Sequence, residues 1–159
     1  MSRNNRGVIE RWFIEGALEL LTPTSLSNGD DDPLVDLPIV VDALEGRPLL
    51  TGASLAGALR AYLADCGEGY AETLFGGRRG VATGAQSPLI VEDALGSKDQ
   101  ALRIELRDGV SIDPATRTAK ENERYDRQLL AAGTTFDLGF ELVVTAQDDA
   151  EALRAALAA

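Results

Sequence analysis

Apolar and polar residues alternate along two long segments of this 159-residue chain, residues 8–21 and residues 134–145. In the second segment every other residue from Phe136 to Val144 is apolar. A period of two residues places the apolar side chains on one face of a sheet, so both segments are predicted to be β-strands. A shorter apolar run over residues 88–94 predicts a second core strand between them.

Two other segments have the spacing of helices. Within residues 54–65, Leu55, Leu59 and Leu63 fall on one helical face, with Thr51 or Ser54 as the N-cap and a glycine following the end. Residues 148–159 are rich in Ala and Leu and begin with two aspartates that can cap a helix.

The remaining segments are polar. Residues 22–36 predict an exposed acidic loop because turn-forming residues dominate its first part, and residues 76–86 form a glycine-rich connector. Residues 109–127 are polar with balanced charge, which favours a hairpin arm that leaves the core. The order is typical of one α+β domain over residues 1–159, of the ferredoxin-like (RRM-type) β-α-β-β-α order with the final strand missing. Because a missing strand would expose a sheet edge, we expect a fragment, or a sheet completed by another chain or segment.

Composition excludes several classes of function. The chain carries 15 Lys and Arg against 26 Asp and Glu, a net charge of −11, which argues against a free-standing, non-specific nucleic-acid binder. Cys66 is the only cysteine and there is no histidine, so an intramolecular disulfide, a Cys/His zinc site and histidine acid–base catalysis are excluded. No apolar run is long enough to cross a bilayer and no signal peptide is present, so we expect a cytoplasmic protein without a membrane partner.

The start of the first helix is a candidate phosphate site. Free N–H groups beside Gly52, the hydroxyl of Ser54 and the charge of Arg60 could bind a phosphate there. An ordinary capped core helix is the alternative interpretation. Arg78 and Arg79 in the connector could touch a phosphate, or lie in a solvated loop.

Grouped carboxylates make the acidic loop a candidate Mg²⁺ site. Asp30, Asp31, Asp32 and Asp36 lie close together in the sequence, and Mg²⁺ takes oxygen ligands. A solvated acidic turn is the favoured interpretation for the first three. Asp36 differs because it lies between apolar neighbours, although it could still be only a turn cap.

Five landmarks carry a resemblance to a known family. The run Gly52-Ala-Ser-Leu-Ala-Gly-Ala-Leu-Arg60 resembles the G-x-S-L-K-G-x-[LM]-R motif of the RAMP superfamily, the RNA-binding proteins of CRISPR effector complexes. Residues 35–42, the Leu-Phe-Gly of residues 74–76, residues 87–93 and residues 107–119 resemble further segments of its type III backbone subunits, in the same order. Ala56 departs from the family, which has a lysine there.

The resemblance implies a function. It places Asp36 on the aspartate with which those subunits cleave target RNA, aided by a divalent metal, expected to be Mg²⁺. It also makes residues 109–127 the thumb that crosses the guide–target duplex. Guide RNA, target RNA and other RAMP subunits are the implied partners. Lys120 and Arg127 are further candidate phosphate contacts, and the implied RNA-binding residues are Gly52, Ser54, Gly57, Arg60, Arg78, Arg79, Arg107, Arg117 and Arg124. Two alternatives stay open: a non-catalytic structural RAMP subunit, and an acidic protein-interaction module with a simple surface hairpin.

Overall fold

The computed structural model describes residues 7–29, 34–67, 69–77 and 85–159, and in them the chain forms strands and helices in mixed order. The strands are β1 (Val8–Glu19), β2 (Leu49–Leu50), β3 (Leu89–Val91), β4 (Ala94–Gly96), β5 (Ile104–Ile112), β6 (Ala119–Leu130) and β7 (Thr135–Thr145). The helices are α1 (Gly52–Cys66), α2 (Tyr70–Phe75) and α3 (Ala150–Ala158). The two alternating segments and both predicted helices are confirmed.

The strands form two sheets. The larger has the order β1-β7-β4-β2, with β3 also paired to β7, and β5 and β6 form a separate two-stranded hairpin. The pairings β2–β4, β3–β7, β4–β7 and β5–β6 are antiparallel. The architecture is therefore α+β, as predicted. The ferredoxin-like arrangement stays a prediction.

The chain divides into two compact units. The first contains residues 1–16, 51–93 and 138–159, and the second contains residues 17–50 and 94–137. A single domain over the whole chain stays a prediction.

The first unit has a core made by its three helices and by β3 and β7. Its buried residues are Leu63, Ala71, Leu74, Leu89, Leu142, Val144, Leu153 and Ala156. Trp12 of β1 packs at the margin of this core, with the guanidinium of Arg154 5.0 Å from its ring centroid. Burial of these apolar side chains is the main term that stabilises the unit.

The second unit buries the base of the hairpin. Leu129, Leu130, Ala131 and Phe136 are buried there, and Ile39 is 7% exposed. The hairpin therefore begins in a core, and its strands extend beyond the predicted residues 109–127 at both ends. The apolar residues 129–130 of β6 explain the longer strand, because they are buried at the hairpin base.

Two further differences from the sequence prediction have local causes. The predicted strand over residues 88–94 divides into β3 and β4, because the Glu92 amide bonds to Gly139 while the Asp93 carboxylate turns to the start of α1. Helix α2 was not predicted, because its six residues are too few to show a helical period. No helix in the described part of the chain is long and apolar enough to span a membrane.

Candidate functional site

Asp36 lies in a bend just before Leu37, which is paired with β6 of the hairpin. The Leu37 amide donates to the Asp126 carbonyl at 3.1 Å, and the Gln128 amide donates to the Leu37 carbonyl at 3.0 Å. The Asp36 carboxylate accepts a 2.9 Å hydrogen bond from the Asp126 amide and is exposed. The structure therefore places the candidate acid directly against the predicted arm.

The residues after Asp36 are fixed by a contact that the sequence did not reveal. The amide of the buried Ile39 donates to the side-chain carbonyl of Gln128 at 3.1 Å. The two residues are 89 positions apart, so no local pattern pointed to this pair.

The predicted phosphate contacts of the hairpin are surface residues paired with carboxylates. The Arg107 guanidinium lies 2.7 Å from the Glu105 carboxylate, and Arg124 contacts Asp108. Lys120 lies 3.2 Å from Glu123. Exposed ion pairs of this kind contribute at most about 1 kcal/mol to stability, so an RNA phosphate could displace the carboxylates at little cost.

Arg127 has a different environment from the other hairpin cations. Its guanidinium lies 5.2 Å from the ring centroid of Tyr125, and it also donates to the tyrosine hydroxyl at 2.9 Å. Gly109 lies opposite Tyr125 on β5, and an added Cβ there would meet the Tyr125 ring at 2.4 Å. The glycine thus leaves room for the aromatic ring on this face of the hairpin.

The hairpin tip is organised by Asp113. Its carboxylate accepts hydrogen bonds from the amides of Ala115 at 2.7 Å and Thr116 at 2.9 Å. The Thr116 amide, followed by the Ala115 amide, lowers the pKa of Asp113 by stabilising the charged form. Arg117 closes the turn with a positive φ of 58°, so its predicted phosphate role belongs to an exposed turn residue.

Helix α1 begins as a capped helix, and the amides of Gly52 and Ser54 in its first turn already have partners. Thr51 is the N-cap, and its hydroxyl accepts from the Ser54 amide at 3.4 Å. The Gly52 amide donates to the Asp93 carboxylate at 2.7 Å. A negative side chain therefore lies at the amides where the sequence predicted a phosphate.

The two motif glycines of α1 differ sharply. A Cβ at Gly52 would lie 2.3 Å from the Val91 carbonyl oxygen, whereas a Cβ at Gly57 would meet nothing within 4 Å. Gly52 is therefore required for packing against the end of β3. Ser54 and Gly57 are both exposed and lie on the accessible side of the helix.

Arg60 is engaged within the first unit. Its guanidinium donates to the carbonyls of Phe75 and Gly76, both at 3.1 Å, at the C-terminal end of α2. A cation there also meets the negative end of the helix dipole. A surface hollow of about 330 Å³ lies beside it, lined in part by Gly52, Ala56, Gly57 and Ser87.

Some predicted residues lie outside the described part of the chain. These are Arg78 and Arg79 of the connector and Asp30, Asp31 and Asp32 of the acidic loop. Among the described residues, no group of three or more Asp, Glu, Cys or His side chains is placed to hold a metal ion. Asp36 could therefore supply one ligand to a Mg²⁺ ion, which commonly takes one or two carboxylates together with water and substrate phosphates.

Comparison with protein families gives a match to the RAMP superfamily over residues 17–159. The chain belongs to the RAMP superfamily. A search of curated proteins gave no match. The described hairpin and glycine-led helix therefore belong to a RAMP protein, as the sequence motifs indicated.

A solved structure described as "Cryo-EM structure of the Type III-B Cmr-beta bound to cognate target RNA" shares the fold of this RAMP chain. The two superpose with a TM-score of 0.61 at 16% identity, covering 84% of this chain and 47% of that chain. This chain thus spans about half the length of that relative. At this identity the likeness concerns the fold alone.

Proposed function

We propose that this RAMP chain is a backbone subunit or segment of a type III CRISPR complex, which binds guide RNA and cleaves complementary target RNA through Asp36. The observation that carries this proposal is the exposed Asp36 carboxylate, held at 2.9 Å from the Asp126 amide of the hairpin. Family membership over residues 17–159 and the fold shared with a chain of a type III-B complex support it. The ferredoxin-like arrangement, completion of the sheet by another chain or segment and a cytoplasmic location belong to the same proposal.

The chemistry required of the site is alignment. Cleavage needs the 2′-hydroxyl of one nucleotide in line with the adjacent phosphate, a geometry that stacked A-form RNA does not offer. A hairpin that takes one base out of the stack costs a few kcal/mol and frees the backbone to rotate. Asp36 would then orient the hydroxyl. Mg²⁺, when bound by Asp36 and the RNA, would supply charge stabilisation at the phosphate.

The exposed cations of the hairpin would provide the part of RNA binding that does not depend on base sequence. Arg107, Arg117 and Arg124 can each neutralise a phosphate, and base pairing between guide and target would supply sequence specificity. The carboxylate partners of Arg107 and Arg124 offset the charge of these two residues when RNA is absent. Binding should therefore depend strongly on salt concentration.

A cleavage assay on the complex reconstituted with guide RNA tests the proposal. We expect cutting of complementary RNA in Mg²⁺, none in EDTA, and none by Asp36→Ala, which should retain guide and target binding. Asp42→Ala is the control, because Asp42 is nearby in the sequence and its carboxylate accepts the amides of Leu44 and Glu45 in a local turn. Cutting by Asp36→Ala at the normal rate would refute the catalytic assignment.

A non-catalytic structural subunit is the second candidate function. It is favoured by the lack of a cluster of three metal-ligating side chains among the described residues. The partners of the Gly52 amide and of Arg60 within the fold also suit a scaffold role. Such a subunit would bind guide and target with the same salt dependence and leave the target intact in Mg²⁺.

A further inference from the structure

The segment that carries Asp36, residues 36–39, is joined to the hairpin by few backbone hydrogen bonds. Within the described residues 34–42, its backbone bridge to the hairpin is the parallel pair Leu37–Arg127. In a parallel ladder, the next bond would join the Ile39 amide to the backbone carbonyl of residue 128. The amide instead donates to the side-chain carbonyl of Gln128, 3.1 Å away. The Gln128 side chain therefore replaces a backbone carbonyl as the acceptor of this hydrogen bond.

The Ile39 amide is well suited to fixing this segment. Pro38 has no N–H, and the Val40 amide already donates to the Leu26 carbonyl at 2.7 Å. Ile39 itself is 7% exposed, so its amide would gain little from water if the glutamine were lost. An unpaired amide at a buried residue is costly, and the backbone would shift to avoid it.

We propose that Gln128 is a positioning residue, whose side-chain carbonyl fixes the segment that presents Asp36 beside β6. The inference rests on the proposed role of Asp36 in cleavage. Leu37 lies between Asp36 and Ile39, and its backbone is bonded to residues 126 and 128 of β6. Asp36, Leu37 and Ile39 are therefore held against the same strand. When the Ile39 bond is lost, the segment is held by the bonds at Leu37 and Asp36, so the carboxylate is fixed less firmly beside β6.

Three variants separate this role from a general loss of stability. Gln128→Met keeps the length of the side chain and removes the carbonyl, while Gln128→Glu keeps an acceptor oxygen. Gln100→Met is the matched control, because Gln100 also forms side-chain bonds to the backbone of the second unit. Its amide donates to the Gly133 carbonyl at 2.6 Å, and its carbonyl accepts from the Thr135 amide at 2.8 Å.

The test uses the complex reconstituted with guide RNA and measures single-turnover cleavage at saturating target. We expect Gln128→Met to cut about ten- to a hundredfold more slowly, the range typical for loss of a supporting contact, with target affinity unchanged. Hydrogen exchange of the full chain should show faster exchange at the Ile39 amide. Gln128→Glu should restore both quantities, and Gln100→Met should leave both unchanged.

Three results would overturn the inference, and they can be told apart. Normal cleavage by Gln128→Met despite faster exchange at Ile39 would show that the tie does not position the acid. Equal losses in Gln128→Met and Gln100→Met would indicate a merely structural role. Normal cleavage by Asp36→Asn would refute the catalytic assignment itself, and the positioning role with it.

Discussion

The helix α1 region and the β5–β6 hairpin both carry polar residues implied to bind RNA, but they use them differently. At α1, Arg60 binds two backbone carbonyls and the Gly52 amide binds Asp93, so the motif holds the first unit together. On the hairpin, Arg107 and Arg124 are paired with carboxylates at the surface. The α1 motif therefore serves the fold in one region, and the hairpin arginines of the other region are left for the RNA contacts that we propose.

The largest effect should come from Gly52 of the α1 motif, for which Gly57 in the same helix is the comparison. Gly52→Ala would place a Cβ 2.3 Å from the Val91 carbonyl oxygen, and we expect a loss of about 3 kcal/mol or more in unfolding free energy. Gly57→Ala has open space and should stabilise the helix by about 0.5–1 kcal/mol. Urea denaturation of the two variants measures both. Equal effects would mean that the first unit does not depend on the close approach at Gly52.

A pair of arginine variants compares the two regions next. Arg60→Met removes two bonds from a charged donor, so we expect a loss of about 2 kcal/mol in unfolding free energy. Arg124→Met breaks one exposed pair and should change stability by less than about 0.5 kcal/mol. Its effect should instead appear in RNA affinity, with the slope of log K against log salt reduced by about one.

Fluorescence anisotropy on the guide-loaded complex measures that slope. If Arg60→Met changed the salt dependence and Arg124→Met did not, the assignment of the two regions would be reversed.

The smallest effect should be a loss of stability of the hairpin tip at low pH. The amides of Thr116 and Ala115 hold the pKa of Asp113 below its usual value, so this carboxylate stabilises the folded turn above the unfolded pKa. That stability is lost as the pH falls through the lower, folded pKa. Exchange protection of the Ala115 and Thr116 amides should therefore drop as the pH falls below about 4.

Asp113→Ala provides the comparison for this pH effect. It should lack that protection at neutral pH and show no further change on acidification. A persistent acid-dependent loss in this variant would assign the effect to another group.

Much of this fold follows from periodicity alone. Alternation from Phe136 to Val144 was enough to locate β7, and the spacing of Leu55 and Leu63 was enough to locate α1. Helix α2 was not predicted because its six residues make fewer than two turns, too few for a helical spacing of apolar residues to repeat. The hairpin base was missed because its apolar residues 129–130 are buried through contacts distant in sequence.

The candidate site was only partly predictable for the same reason. Asp36 was distinguished by its apolar neighbours and by a family motif, both of which are local signals. The partners that decide how residues act, such as Gln128 for Ile39 and Asp93 for Gly52, lie 89 and 41 positions away. Sequence showed which residues could bind RNA, but only the fold shows which of them are already occupied.

The catalytic assignment is tested most directly by the cleavage rate of Asp36→Asn at matched target occupancy. This variant keeps the size of the side chain and an oxygen that can accept the Asp126 amide, and it removes only the charge. We expect unchanged binding and a cleavage rate at least about a hundredfold lower in Mg²⁺, as for loss of a group that acts on the reacting atoms. A rate within twofold of the unaltered complex would contradict the account and leave a scaffold function in its place.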